Sequence, residues 1–182
     1  MRVSWGDAAS EHQQVLDQFL AAIEAVPASR WHASPDDRTW SAAALALHVA
    51  ESYAFGVEAA FGRAAMRRRT PAPIAWFART VLLPRLLAAQ RFPRGAQAPD
   101  EVVPDERIAA SFDQDAMRTH VRTLAATALE ALRDAERTRP HVRITHAYFG
   151  PLRPRRALQL LSAHTRHHTE GMRRRGAIDT AR

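Results

Sequence analysis

The chain lacks cysteine altogether, and that absence narrows its chemistry. Disulfides, thiolate metal ligands and a cysteine nucleophile are excluded, so a metal site here must be built from histidine and carboxylate. Lysine is missing too. All 26 basic residues are arginine, and with alanine abundant this reads as the codon usage of a GC-rich genome rather than a functional choice. No uncharged apolar run reaches eighteen residues, and the N-terminus, MRVSWGDAASEHQQ, has no apolar h-region behind a basic start, so a soluble cytoplasmic protein is expected.

Aromatic residues are also few, at 7%, which bears on the reading of the net charge of +7. Arginine runs occur at Arg67-Arg68-Arg69, at Arg153 with Arg155-Arg156, and at Arg173-Arg174-Arg175. They can hold phosphates, but runs at helix ends more often complement the helix dipole and face solvent. They lie on separate segments, no helix-turn-helix motif accompanies them, and nucleic-acid binding is the least favoured class of function.

The 182 residues suit a single domain spanning 1–182. Ser10 with Gln13 reads as a capping box opening a first helix, whose stripe of Val15, Leu16, Phe19, Leu20, Ile23 and Val26 runs to Pro27. Trp40-Ser41 opens a second, with Leu45, His48, Val49, Ser52, Phe55 and Ala59 in phase. Residues 67–104 carry repeated prolines and read as an insertion, with a short apolar helix around Ile74 to Gln90 packed on the bundle. Ser111 with Gln114 reads as a second capping box before the stripe Met117, Val121, Leu124, Ala128 and Leu132. Pro154 and Gly176 frame a fourth helix carrying Leu158, Leu161, Thr165, His168 and Met172, with His164 alongside. Four amphipathic helices without convincing strands predict an all-α fold, an antiparallel four-helix bundle with a partly helical insertion between the second and third helices.

Within that frame His164 and His168 share one face of the fourth helix. Two neutral imidazoles one turn apart can close on a divalent ion, leaving positions for a ligand from another helix and for water. For the pair alone, a metal site and a polar helix face stay equally open. His48 on the inward stripe of the second helix favours the metal. His167 points in another direction and suits a solvent-facing or supporting group, while His12, His32, His120 and His141 have no comparable spacing and are assigned to structure or surface.

The segments RTWSAAALALHVAES and THAYFGPLRPRRALQLLSAHTRHHTEGM resemble the DinB/YfiT-like superfamily of metal-dependent enzymes. Its members show a tryptophan-led second helix with one histidine and a fourth helix with HxxxH. The resemblance spans nearly the whole chain, and the FGPL turn, the HTRHH run and RFPRGAQAP look most like a poorly characterised bacterial subgroup. It implies that His48, His164 and His168 are three ligands of a divalent ion, zinc or nickel foremost. It also implies a low-molecular-weight thiol as cosubstrate, since members of the superfamily include thiol-dependent transferases and isomerases. Relatives often carry glutamine three positions after the last ligand; here that position is Gly171, beside Glu170, so no role transfers to it. His146 in THAYFG matches a recurrent position that would fix the start of the fourth helix.

Three neutral histidines leave an ion its full charge and an open position, the arrangement of a catalytic site. The expected function is a metal-dependent S-transferase using a small thiol, or a hydrolase using metal-activated water; a non-catalytic metal-binding bundle is the alternative. Glu51, one turn after His48, is the weak candidate for a base, with Ser52 and Tyr53 as further candidates. Arg166 and the arginines flanking the fourth helix would receive the carboxylates of an acidic thiol. The expected partner is a small-molecule substrate, without membrane insertion, and the insertion offers an apolar face through which a homodimer could form.

Overall fold

The computed structural model describes residues 3–35, 39–89, 92 and 97–177. Four long helices form the body: α1 (Trp5–Glu24), α2 (Ala42–Ala60), α6 (Gln114–Thr138) and α7 (Pro154–Gly176). Short helices α3 (Ala72–Phe77), α4 (Leu83–Ala89) and α5 (Glu106–Ala110) lie in the insertion and its exit. The expected all-α bundle is what the chain forms.

The ends of the helices differ from the expected caps in instructive ways. The first helix begins at Ser4, whose hydroxyl accepts from Asp7 N (3.0 Å) while the Asp7 carboxylate accepts from Ser4 N (3.1 Å). This is the capping-box chemistry expected at Ser10, placed two turns earlier with aspartate in the third position. Ser111 closes α5 instead of opening α6; Asp113 caps α6 by accepting from Ala116 N. The Gln114 side chain reaches across to the carbonyls of Ile23 and Val26, tying α6 to the end of α1.

Ala8, Ala59 and Ala60, Ala131, Leu132 and Ala135, and Ala157 with Leu158 share one buried cluster. The starts of α1 and α7 therefore lie at the same end of the bundle as the ends of α2 and α6. Two parallel pairs run antiparallel to each other, and the long connection from 61 to 113 returns the chain to the far end before α6. Small residues let the helices approach closely: along α2, Ala42, Ala43, Ala44, Ala46 and Ala50 are all buried.

Strands were not expected, yet two form. β1 (Ile144–His146) pairs antiparallel with β2 (Gly150–Leu152), with Ile144 opposite Leu152 and His146 opposite Gly150. Gly150 takes a positive φ of 65°, which permits the tight return. The hairpin delivers the chain to Pro154 at the first turn of α7.

The insertion helix runs from Ala72 to Ala89 as α3, a π-helical turn at Ala78–Leu82, and α4. Its inner side, with Ala78 and Leu83, packs on Phe149, Leu152 and Leu160. By length and composition alone this stretch is apolar enough to cross a membrane, although it lies packed along the bundle. Gln90, the expected end of this helix, lies outside the described residues.

Candidate metal centre

His48 is buried midway along α2, held there by alanines that bring α2 against α7 and α6. Its Nε2 lies 3.0 Å from Nε2 of His164 on α7, and that atom lies 3.1 Å from Nε2 of His168. All three candidate ligand atoms fall within 4.8 Å of one another. Zinc binds imidazole nitrogen at about 2.0–2.1 Å, so neighbouring ligands on a tetrahedral ion stand about 3.3 Å apart. The separations of His164 Nε2 from His48 and from His168 match that spacing to a few tenths of an ångström, and among the described residues no acidic side chain joins the group.

A specific contact fixes the tautomer of His48. Its Nδ1 lies 2.6 Å from the carbonyl oxygen of Val102, which can only accept, so Nδ1 carries the proton. The lone pair of Nε2 therefore faces the other two rings. Val102 is delivered by the short 3-10 turn Asp100–Val102 at the end of the insertion, where it is buried. No sequence signal marks a carbonyl for this task.

Electrostatics prepare the same three groups. Burial pushes His48 below the usual histidine range, partly offset by the Val102 carbonyl. His164 and His168 keep part of their surface, but desolvation of the rings, then repulsion from neighbouring histidines, holds both well below that range. At neutral pH the cluster is three uncharged imidazoles whose Nε2 atoms converge, a donor set that fits a divalent ion. The buried Nδ1 of His164 has no hydrogen-bond partner among the described residues.

Aromatic rings and an arginine frame the cluster. Trp40, just ahead of α2, tilts over His48 with ring centroids 4.8 Å apart. Phe92 stands edge-on to His164 at 5.8 Å and tilted to His167 at 5.7 Å. The Arg175 guanidinium donates twice to the Trp40 carbonyl, at 3.1 and 2.7 Å, and once to the Gly171 carbonyl at 2.8 Å. The end of α7 is thereby tied to the start of α2, the two helices that carry the ligands.

Beside the cluster opens a cavity of about 340 Å³, lined by His167, His168, Leu45, Gly171, Arg174 and Arg175. A Cβ added at Gly171 would stand 3.3 Å from Leu45 Cδ2 and 3.4 Å from an Arg175 nitrogen, so the bare backbone keeps this wall back. Burial lowers the pKa of His167, and Arg174 adds to the effect.

Other residues singled out from the sequence lie elsewhere. Glu51 is half-buried and does not join the ligand group. Ser52 donates to the His48 carbonyl within its own helix. Tyr53 is fully buried in a separate polar chain, its hydroxyl 2.8 Å from Thr165 Oγ1 and 3.2 Å from His12 Nε2. His12 is therefore structural. Arg166 faces Glu11 on α1 at 3.4 Å, away from the expected role of holding a substrate carboxylate. The ring of His146 accepts from the backbone N–H groups of Tyr148 (3.2 Å) and Phe149 (3.4 Å), bracing the hairpin that leads into α7. His32 and His141 are exposed, and His120 tilts against Phe112.

Comparison with known families settles the relationship. A family model described as the DinB superfamily matches residues 11–172. The chain belongs to the DinB superfamily. The matched span contains His48, His164, His168 and the hairpin, so the whole centre of this DinB-superfamily bundle lies within it. No curated protein and no solved structure matches the chain.

Proposed function

We propose that this DinB-superfamily protein is a divalent-metal-dependent enzyme of the bacterial cytoplasm, a low-molecular-weight-thiol S-transferase or a hydrolase, with zinc or nickel at the three histidines. The convergence of three Nε2 atoms, 3.0 and 3.1 Å apart between successive pairs, carries the reading. When bound, a divalent ion acidifies a coordinated thiol or water and so supplies a nucleophile at neutral pH.

The chain's own groups do the rest. His48, oriented by Val102, and the two histidines of α7 hold three positions and contribute no charge. Trp40 and Phe92 pack against the rings and limit water. The cavity reaching His168 gives a small substrate access, which favours a catalytic centre over a purely structural one. Arg174, exposed at the rim, stands where the acidic group of a thiol cosubstrate would lie. No cysteine is available, so the sulfur of a transfer reaction comes from the cosubstrate.

Cobalt substitution tests the thiol reading. The cobalt-loaded protein is titrated with a small thiol such as mercaptosuccinate and its absorption recorded. A new thiolate-to-cobalt charge-transfer band supports an S-transferase. A cobalt spectrum that no thiol alters, together with hydrolysis of activated esters or amides lost in His168→Ala, points to the hydrolase.

A further inference from the structure

We propose that the outer face of the Ala72–Ala89 helix docks on an anionic lipid bilayer, so that the protein binds a membrane surface peripherally. Among the described residues the exposed large apolar side chains are few, and most sit on this segment: Ile74, Trp76, Phe77 and Leu82 are 55%, 59%, 48% and 47% exposed. The helix is already packed on its other side, where Ala78 and Leu83 meet Phe149, Leu152 and Leu160. Arg79 is committed inward, donating to the Phe149 carbonyl at 3.2 Å. A helix apolar on both sides, anchored to the bundle by one, presents the other to a partner.

Charge decides which partner. Between Glu58 and Asp100 the sequence holds eight arginines and no acidic residue. Arg67, Arg68 and Arg85 are exposed beside or on the helix, and no ion pair occupies them among the described residues. Aromatic and aliphatic side chains flanked by cations match the boundary between headgroups and acyl chains of an anionic leaflet. A second copy fits less well, because a twofold contact through this face sets the arginines opposite each other, while the nearby acids are already engaged: Asp100 by Arg69, Glu58 by Arg63, and Glu101 by the backbone N–H of Arg67. Nucleic-acid phosphates would satisfy the arginines and leave Ile74, Trp76, Phe77 and Leu82 without a role.

The test sediments the untagged full chain with vesicles of phosphatidylglycerol and phosphatidylcholine, or of phosphatidylcholine alone, with sedimentation equilibrium run in parallel. Two variants join it: Trp76→Ser with Phe77→Ser, and Arg67→Glu with Arg68→Glu. All four positions are exposed, and far-UV circular dichroism checks the fold. The proposal expects binding to the anionic vesicles that falls roughly tenfold or more in each variant, on neutral vesicles, and at high salt. If the serine variant does not fold, Trp76→Ser alone is used. Two results overturn it: binding that either variant leaves untouched, or no vesicle binding by the parent, which together with a dimer that the serine changes dissociate would make the face an interface between copies.

Discussion

Tyr53→Phe isolates the polar chain that crosses the core from α1 to α7. The substitution removes one oxygen and little volume. It leaves two buried groups without their partner: His12, 1% exposed, and Thr165, 0% exposed. The hydroxyl now lies 3.2 Å from His12 Nε2 and 2.8 Å from Thr165 Oγ1. His12 cannot turn to its other nitrogen for relief, since Nδ1 is itself buried without a partner. Each buried polar group left unmade costs about 1–3 kcal/mol, and removal of the buried hydroxyl, which no longer has to be desolvated, offsets part of the two, so a loss of about 2–4 kcal/mol is expected. For a chain of this size that is a fall in Tm of about 4–16 °C. Urea unfolding of parent and variant at pH 7 measures it. The triple variant His12→Leu, Tyr53→Phe, Thr165→Val should recover much of the loss, because it removes the stranded groups as well. A cost below about 0.5 kcal/mol for Tyr53→Phe, or losses that simply add in the triple variant, would refute the reasoning.

The same chain makes stability depend on pH. Burial lowers the His12 pKa from 6.5 to about 4, so between those values the unfolded chain takes up a proton that the folded chain refuses. Its contribution is full above about pH 6.5 and lost as pH falls toward 4, about 3 kcal/mol in all; urea titrations across this range should show a shallower slope in His12→Leu than in the parent. Arg175→Ala frees the Trp40 carbonyl and loosens α7 from α2 beside the ligands, and metal affinity measured by competition with a chromophoric chelator should drop about tenfold. Glu51→Gln should leave the metal content of the purified protein unchanged, because Glu51 stands outside the ligand group.

The centre was legible in the sequence to the extent that helical spacing determines it. His164 and His168 had to share a face, and His48 had to face inward once its run proved helical. The contacts that tune them were not legible: the Val102 carbonyl arrives through a turn at the end of the insertion, and Phe92 from the same segment. Trp40 leads its helix, as its position indicates, and also covers His48, which no local pattern shows. The caps show how tertiary contacts override local signals. Ser111 and Gln114 have the spacing of a capping box, yet Gln114 is drawn to the end of α1 and Asp113 takes the place of Ser111 as the cap. The hairpin leaves little periodic signal, because its strands are three residues each and one of them contains a proline. The pairing of Arg166 with Glu11 on α1 was equally outside the reach of spacing, since the two lie on helices remote in sequence.

Metal content measures the central claim most directly. The untagged protein, purified without chelator and supplied with first-row divalent ions, is compared by elemental analysis with a His48→Ala, His168→Ala variant. The account predicts about one equivalent of zinc, nickel or a similar ion in the parent and almost none in the folded variant. A parent that binds no metal, or a variant that binds as much as the parent, would contradict it.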